Sequence, residues 1–234
     1  MKIALLGYGK MGKAIEKIAL ERQHEIVLKI DKDDLFYDIK KADVAIDFSS
    51  PESAFDNIES CIQNNVPVIS GTTGWLSRYD DIVKICQKEN GAFVYASNFS
   101  VGVNVFFKLN EYLAKLMQNI NGYDILMEET HHIHKLDAPS GTAITLAEQI
   151  LKYSDKTNWE IEKSSEDQLF IDVKRKGEVP GTHKISYKSN VDEIQIEHKA
   201  FNRRGFALGA IIAAEWILGK TGVFKMDDVL QINK

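Results

Sequence analysis

The chain has 234 residues, 44% hydrophobic and 27% charged, with 29 basic against 34 acidic side chains and a net charge of −5. That length and balance fit one large folded domain or two small ones and argue against extensive disorder and against a general nucleic-acid binder. The longest apolar run, residues 206–218, is too short to span a bilayer and contains Glu215, so no membrane partner is expected.

The first half alternates strands and helices. Residues 1–6 form a continuous apolar strand, and Met11, Ala14, Ile15, Ile18 and Ala19 give a helical period over 10–20. Strands follow at 25–30, 43–48, 66–70 and 92–96, with helices around Ala54–Ile62 positions and around Ile82, Ile85 and Cys86. This pattern predicts a Rossmann-like, doubly wound parallel sheet, whose ligands bind beyond the carboxyl ends of the strands. The second half differs. A long helix is expected over 103–117, a strand over 123–127, a polar loop over 131–141, a helix from 142 to about 153, and mostly strand from 159 to 198. A second α+β domain with a mostly antiparallel sheet follows from that reading. An apolar helix over 207–218 could return to the first domain, which gives 1–101 with 206–234, and 102–205. Cys61 and Cys86 are the only two cysteines, so a disulfide framework is excluded and a reducing, cytoplasmic compartment is expected. The N-terminus enters a glycine loop rather than a cleavage site.

Gly7-Tyr8-Gly9-Lys10-Met11-Gly12 follows a strand and opens a helix. Glycines there allow a tight turn and let the backbone approach a diphosphate at the helix N-terminus. Asp31, at the end of the second strand, can accept hydrogen bonds from ribose hydroxyls, while Lys32 and Lys10 could hold a 2′-phosphate. NADH and NADPH both stay open as cofactors, against the plain alternative of a glycine turn without ligand. Gly71-Thr72-Thr73-Gly74 and Ala96-Ser97-Asn98-Phe99 end the fourth and fifth strands, where a nicotinamide would lie.

The densest constellation is Glu128-Glu129-Thr130-His131-His132-Ile133-His134-Lys135-Leu136-Asp137-Ala138-Pro139-Ser140-Gly141-Thr142. Histidine can exchange a proton near neutral pH, lysine can act as an acid or hold an anion, and a helix starting at Ser140-Gly141-Thr142 offers amides to a carboxylate. A basic cluster in an acidic chain fits a small anionic substrate. Ser140 taken alone reads better as a simple helix cap. A metal site on His131, His132 and His134 is the other alternative, although these lack flanking cysteines and i,i+4 spacing.

These motifs, with Asp47-Phe48-Ser49, the run 98–104, Arg175, Gly177, Gly181, His183, Arg203 and Phe206-Ala207, resemble the dihydrodipicolinate reductase family of bacterial lysine and diaminopimelate biosynthesis. The glycine loop departs from the family's common form: it is one residue shorter and has Lys10 where arginine is usual. The resemblance implies NAD(P)H-dependent reduction of 4-hydroxy-tetrahydrodipicolinate, a small anionic dicarboxylate, with loss of water. It implies acid–base work for His131 and Lys135, and substrate contacts for His132, Lys135, Ser140, Gly141 and Thr142. Cofactor contacts carry over to Gly7, Tyr8, Gly9, Lys10, Met11, Gly12, Asp31, Phe48, Gly71, Thr72, Thr73, Ala96, Ser97, Asn98, Phe99 and Arg203, with no metal. A homotetramer through the second sheet is implied, as are hinges near 98–102 and 203–206. His183 and His198 read as structural or interface residues. Two other functions stay open: a reductase of a different imine, and a nucleotide-sensing protein without turnover.

Overall fold

In β1 (Lys2–Leu6), Ile3 and Leu5 enter one hydrophobic core while Ala4 and Leu6 enter another, so the strand is buried on both faces. That two-sided burial explains why the early strands read as continuous apolar runs. The chain continues through α1 (Lys10–Glu21), β2 (Glu25–Ile30), β3 (Val44–Asp47), α2 (Pro51–Gln63), β4 (Val68–Ser70), α3 (Tyr79–Lys88) and β5 (Ala92–Tyr95). Next come α4 (Val101–Met117), β6 (Asp124–His131), α5 (Gly141–Leu151), β7 (Asn158–Glu160), β8 (Gln168–Arg175), β9 (Gly181–Lys188) and β10 (Glu193–Ala200). It closes with α6 (Arg204–Ile217), β11 (Gly222–Phe224) and α7 (Met226–Leu230). The computed structural model describes all residues except 33, 35, 163, 164, 233 and 234.

The chain divides into two units, Met1–Val101 with Arg203–Lys234, and Gly102–Asn202. In the first, six strands pair in parallel in the order β11-β5-β4-β3-β1-β2. Residues of α1, α6 and α7 cover one face, and those of α2 and α3 cover the other. Helix α6 lies close to the backbone after β5: a Cβ at Gly209 would stand 1.7 Å from the Phe99 carbonyl oxygen, so only glycine fits.

The second unit has a five-stranded sheet in the order β10-β9-β6-β8-β7. Its two longer pairings, β10 with β9 and β6 with β9, are antiparallel, and the two shorter ones, β6 with β8 and β8 with β7, are parallel. The sheet is therefore mixed, because the chain passes through α5 between β6 and the β7–β8 pair. Phe106 and Ala114 of α4 and Leu146, Ala147 and Ile150 of α5 pack on one face against Met127, Ile171 and Ile185.

Three elements depart from the sequence reading. Strand β6 runs on to His131, so Glu128–His131 positions belong to the sheet and the polar loop starts later. Strand β11 and helix α7, three and five residues long, are too short for periodicity to reveal. Among the described residues no helix is long and apolar enough to cross a membrane.

Candidate active site

In the first unit, β1 ends in a loop whose glycines have distinct tasks. Gly7 has φ +93°, and a Cβ there would lie 2.2 Å from the Phe48 carbonyl oxygen. At Gly12 a Cβ would lie 2.4 Å from the Gly7 carbonyl oxygen, so this glycine lets α1 pack on its own loop. A Cβ at Gly9 would meet nothing within 4 Å. Gly9 is the N-cap of α1 and no side chain caps the helix, which leaves amide groups at the helix start turned to open space. Beside it lies a cleft of about 370 Å³ lined by Gly7, Gly9, Asp31, Lys32, Phe48 and Ser50, among others. Asp31 stands on its rim and accepts from the Lys32 amide at 2.9 Å. An uncapped helix N-terminus, a glycine that opens rather than fills the space, and a carboxylate at the end of β2 fit a dinucleotide.

The loops after β3 and β4 are tied together by Asp47, which is fully buried. Its Oδ1 accepts from Ser49 at 2.6 Å and Asn57 at 3.2 Å, and its Oδ2 from Ser70 at 2.9 Å and Thr72 at 2.8 Å. Burial raises the Asp47 carboxyl above the usual carboxylate range, and the four donors oppose that shift. Thr72 is fully occupied by this network: its hydroxyl also accepts the Ser49 amide and its carbonyl accepts Trp75 Nε1. Its side chain thus holds the two loops together. Phe99 is likewise a core residue, packed on Phe48 with ring centroids 5.9 Å apart.

The second unit gathers the histidine–lysine segment. His131 is 8% exposed at the end of β6, with its ring edge-on to His183 at 5.1 Å. Burial, with the neighbouring His183, pushes the His131 pKa down to about 4, against the pull of Glu129. Glu129 is fully buried beneath it. Burial alone would raise its carboxyl, but contacts with His183 and Ser140 bring it down to about 2. Lys135 sits in the turn that follows and pairs with Asp137, Nζ lying 2.7 Å from Oδ1. His132 is half-buried, its ring 6.1 Å from that of His134, which pairs with Glu178 at 3.1 Å.

Helix α5 begins at Gly141 with Ser140 as its cap. The Ser140 hydroxyl accepts from the Ala143 amide at 3.2 Å and faces His183 Nε2 at 3.2 Å, while its own amide donates to Glu129. Ser140 is therefore built into the scaffold as the cap of α5. Gly141 faces open space.

The structure brings Gly7, Gly9, Asp31 and Phe48 around one cleft. Gly71 packs behind Phe48, where a Cβ would lie 2.3 Å from its ring. Lys10, Thr73, Ser97 and Arg203 are exposed, and Tyr8, Met11, Ala96 and Asn98 are half-buried; none of these lines the cleft. The Tyr8 hydroxyl bonds Glu16, which pairs with Lys29. Sequence reasoning gave no role to Glu129, Arg175 or Asp47. The signals were present in the inward alternation of Glu129 with His131 and in an aspartate closing a buried strand. Glu129, His131 and His183 place ligand atoms within 4.8 Å of one another, a set different from the histidines weighed above. The Arg175 guanidinium, 3.2 Å from Glu129, already supplies the positive charge this carboxylate needs.

A parallel sheet with an open glycine loop and an acidic residue ending its second strand defines a dinucleotide-binding protein of the Rossmann class. Residues 1–99 match the family described as "Dihydrodipicolinate reductase, N-terminus", and residues 102–230 match "Dihydrodipicolinate reductase, C-terminus". A 4-hydroxy-tetrahydrodipicolinate reductase of Christiangramia forsetii is 54% identical over 233 residues, 98% of each chain. One from Methanoculleus marisnigri is 37% identical, covering 85% of this chain and 80% of that one. Among solved structures, a dipicolinate-bound dihydrodipicolinate reductase from Paenisporosarcina sp. TG-14 shares the fold, with a TM-score of 0.80 at 23% identity over 96% of this chain and 97% of that one. The chain belongs to the dihydrodipicolinate reductase family.

Proposed function

We propose that the protein is an oxidoreductase that uses NADH or NADPH to reduce 4-hydroxy-tetrahydrodipicolinate, with loss of water, to tetrahydrodipicolinate in lysine and diaminopimelate biosynthesis. The observation that carries this reading is the segment 132–140, which holds Lys135 between His131, at the end of β6, and the N-terminus of α5. It combines a proton source with an anion site in a chain whose relatives bear that activity by name.

The first unit is the cofactor domain in this reading. Amides of the Gly7–Gly12 loop and the N-terminus of α1 receive the diphosphate, and Asp31 accepts the adenosine ribose hydroxyls. Phe48 walls the adenosine side, while Gly71, Thr73, the 96–98 segment and Arg203 serve the remaining path. A reduced nicotinamide, when bound, supplies the hydride.

The second unit is the substrate domain. Amides of Gly141 and Thr142 bind one carboxylate of the substrate, and His132 and Lys135 orient the ring. Hydride addition to the conjugated imine moves electron density onto the ring nitrogen and adjacent carbon, and a proton must follow. With its pKa near 4, His131 is neutral at physiological pH, so it carries no stored proton and serves the transfer as a neutral hydrogen-bonding ring. The Lys135 ammonium is the proton donor.

Pyridine-2,6-dicarboxylate, the flat analogue of the substrate, tests the reading. Inhibition competitive with the dicarboxylate but not with NADPH is expected. Competition with NADPH alone counts against the division of ligands between the two units. We further place a homotetramer contact on the sheet face opposite α4 and α5, where Leu126 and Phe170 are exposed among Glu128, Asp172 and Lys184. Sedimentation is expected to give a tetramer that Leu126→Asp weakens; a monomer at assay concentration overturns that assignment. A cytoplasmic location follows from the pathway.

A further inference from the structure

Glu129 and Arg175 touch no reacting atom in the mechanism above, yet they hold the residues that do. One oxygen of Glu129, Oε1, accepts Nη1 and Nη2 of Arg175, each at 3.2 Å, and the Ser140 amide is shared between Oε1 at 3.2 Å and Oε2 at 3.1 Å. The other, Oε2, lies 3.6 Å from His131 Nδ1 and 3.7 Å from His183 Nε2. His131 Nδ1 is buried and has no hydrogen-bond partner, so Glu129 is the anion that faces it. Arg175 arrives from β8, where its backbone pairs with that of His131. Nη1 also donates to the carbonyl of its neighbour Lys174 at 3.0 Å, and two further hydrogen bonds go to the turn: Nη2 donates to the Asp137 carbonyl at 2.6 Å and Nε to the Lys135 carbonyl at 3.4 Å. One guanidinium thus fastens the backbone on both sides of Leu136 to the sheet, and a buried carboxylate fixes that guanidinium. A planar fork of five donors can serve these acceptors together, whereas an ammonium cannot.

We propose that Glu129 and Arg175 are positioning residues, a strut that sets the Lys135 turn and the His131 ring in register for proton transfer. This rests on the reading of Lys135 and His131 as the acid–base pair. Had Arg175 served only to neutralise Glu129, any cation at that position would suffice. The fork geometry requires more: the two carbonyl contacts must be kept as well. A misplacement of the acid by about 1 Å can cost on the order of 10² in rate without touching remote binding.

The test compares Arg175→Lys, Glu129→Gln and the double variant Glu129→Gln/Arg175→Met with wild type. Arg175→Lys keeps the charge and loses the fork. The double variant leaves no unpaired buried charge and carries the comparison if a single variant loses its fold. Expected in each folded variant is a fall in kcat of roughly tenfold or more, with the NADPH dissociation constant within about twofold of wild type. Amide exchange over residues 133–137 is expected to quicken by roughly tenfold, while exchange in β1 and α1 stays unchanged. Near-normal kcat in Arg175→Lys and in the double variant overturns the strut, as does unchanged exchange over 133–137. Absence of turnover in wild type itself refutes the reductase reading, and the exchange measurement then still decides whether the strut orders the turn.

Discussion

Lys135 Nζ lies 2.7 and 2.8 Å from the two carboxylate oxygens of Asp137, two residues further along the same turn. Burial alone would raise the Asp137 carboxyl, and the Lys135 ammonium more than offsets this and leaves it below the usual range. The pair keeps the ammonium in place with only 21% of the lysine side chain exposed. Replacement by alanine removes the proposed proton donor, a contribution of about 10²–10⁴ in rate. Lys135→Ala is expected to lose at least the lower factor in kcat, with NADPH binding nearly unchanged by fluorescence titration. Turnover within a few-fold of wild type removes Lys135 from the chemistry.

Acid sensitivity should start at His131. Its pKa falls from an ordinary 6.5 to about 4 in the folded protein, so between those values the unfolded chain binds the extra proton and stability drops as pH falls. Glu129 continues the trend from 4.5 to about 2, again with the unfolded state holding more protons. Within each window the loss is at most about 1.4 kcal/mol per pH unit and group. Asp47 acts in the opposite sense, since burial raises its carboxyl and acidification relieves that cost. Thermal unfolding should therefore show Tm falling from near neutrality toward pH 4, and His131→Gln should flatten the upper part of that slope. A wild-type Tm that is level over this range contradicts the placement of His131 as a buried neutral ring.

Asp47 ties together the loops after β3 and β4 beside the proposed cofactor cleft. Its four side-chain donors come from the loop after β3, from α2, and from the end of β4 with the loop beyond it. Asp47→Ala leaves them without an acceptor in a buried place and is expected to cost about 2–4 kcal/mol in urea unfolding. NADPH affinity should weaken together with stability. Asp47→Asn keeps the shape and should recover most of both; equal loss in the two variants means that charge, not hydrogen bonding, holds the loops.

The glycines of the first loop separate folding from binding. Gly7→Ala meets the Phe48 carbonyl oxygen at 2.2 Å and must adopt φ near +93°, so it is expected to destabilise the first unit by about 1–3 kcal/mol. Gly9→Ala meets nothing within 4 Å and should melt like wild type. Its methyl group stands where the diphosphate is placed, so a tenfold or greater loss of cofactor affinity, about 1.4 kcal/mol, is expected. Unimpaired cofactor binding by Gly9→Ala contradicts the cleft assignment.

Much of the first unit was legible because its central strands are buried on both faces and end in turn chemistry. Ile3 to Leu6 is an unbroken apolar run, followed at once by the glycine loop, and Asp31 comes directly after the last residue of β2. The second unit was harder to read. Glu129 and His131 look like loop residues in a polar run, and their burial makes sense only with Arg175, 46 residues beyond Glu129, present as a counter-ion. No local period records such a partner. Thr72 and Ser140 carried the correct motif context, but their hydroxyls turn inward, to Asp47 and to the α5 cap, and the direction of a side chain is set by packing rather than by spacing.

Turnover is the most direct measurement. The purified protein would be mixed with pyruvate, aspartate semialdehyde and the synthase that condenses them, and the loss of NADH or NADPH absorbance followed with each cofactor in turn. Oxidation that depends on the condensed substrate is expected with at least one cofactor, and the ratio of the two rates reports how Asp31, Lys32 and Lys10 share the ribose. Tight cofactor binding without substrate-dependent oxidation of either would contradict the reductase reading while leaving the dinucleotide fold intact.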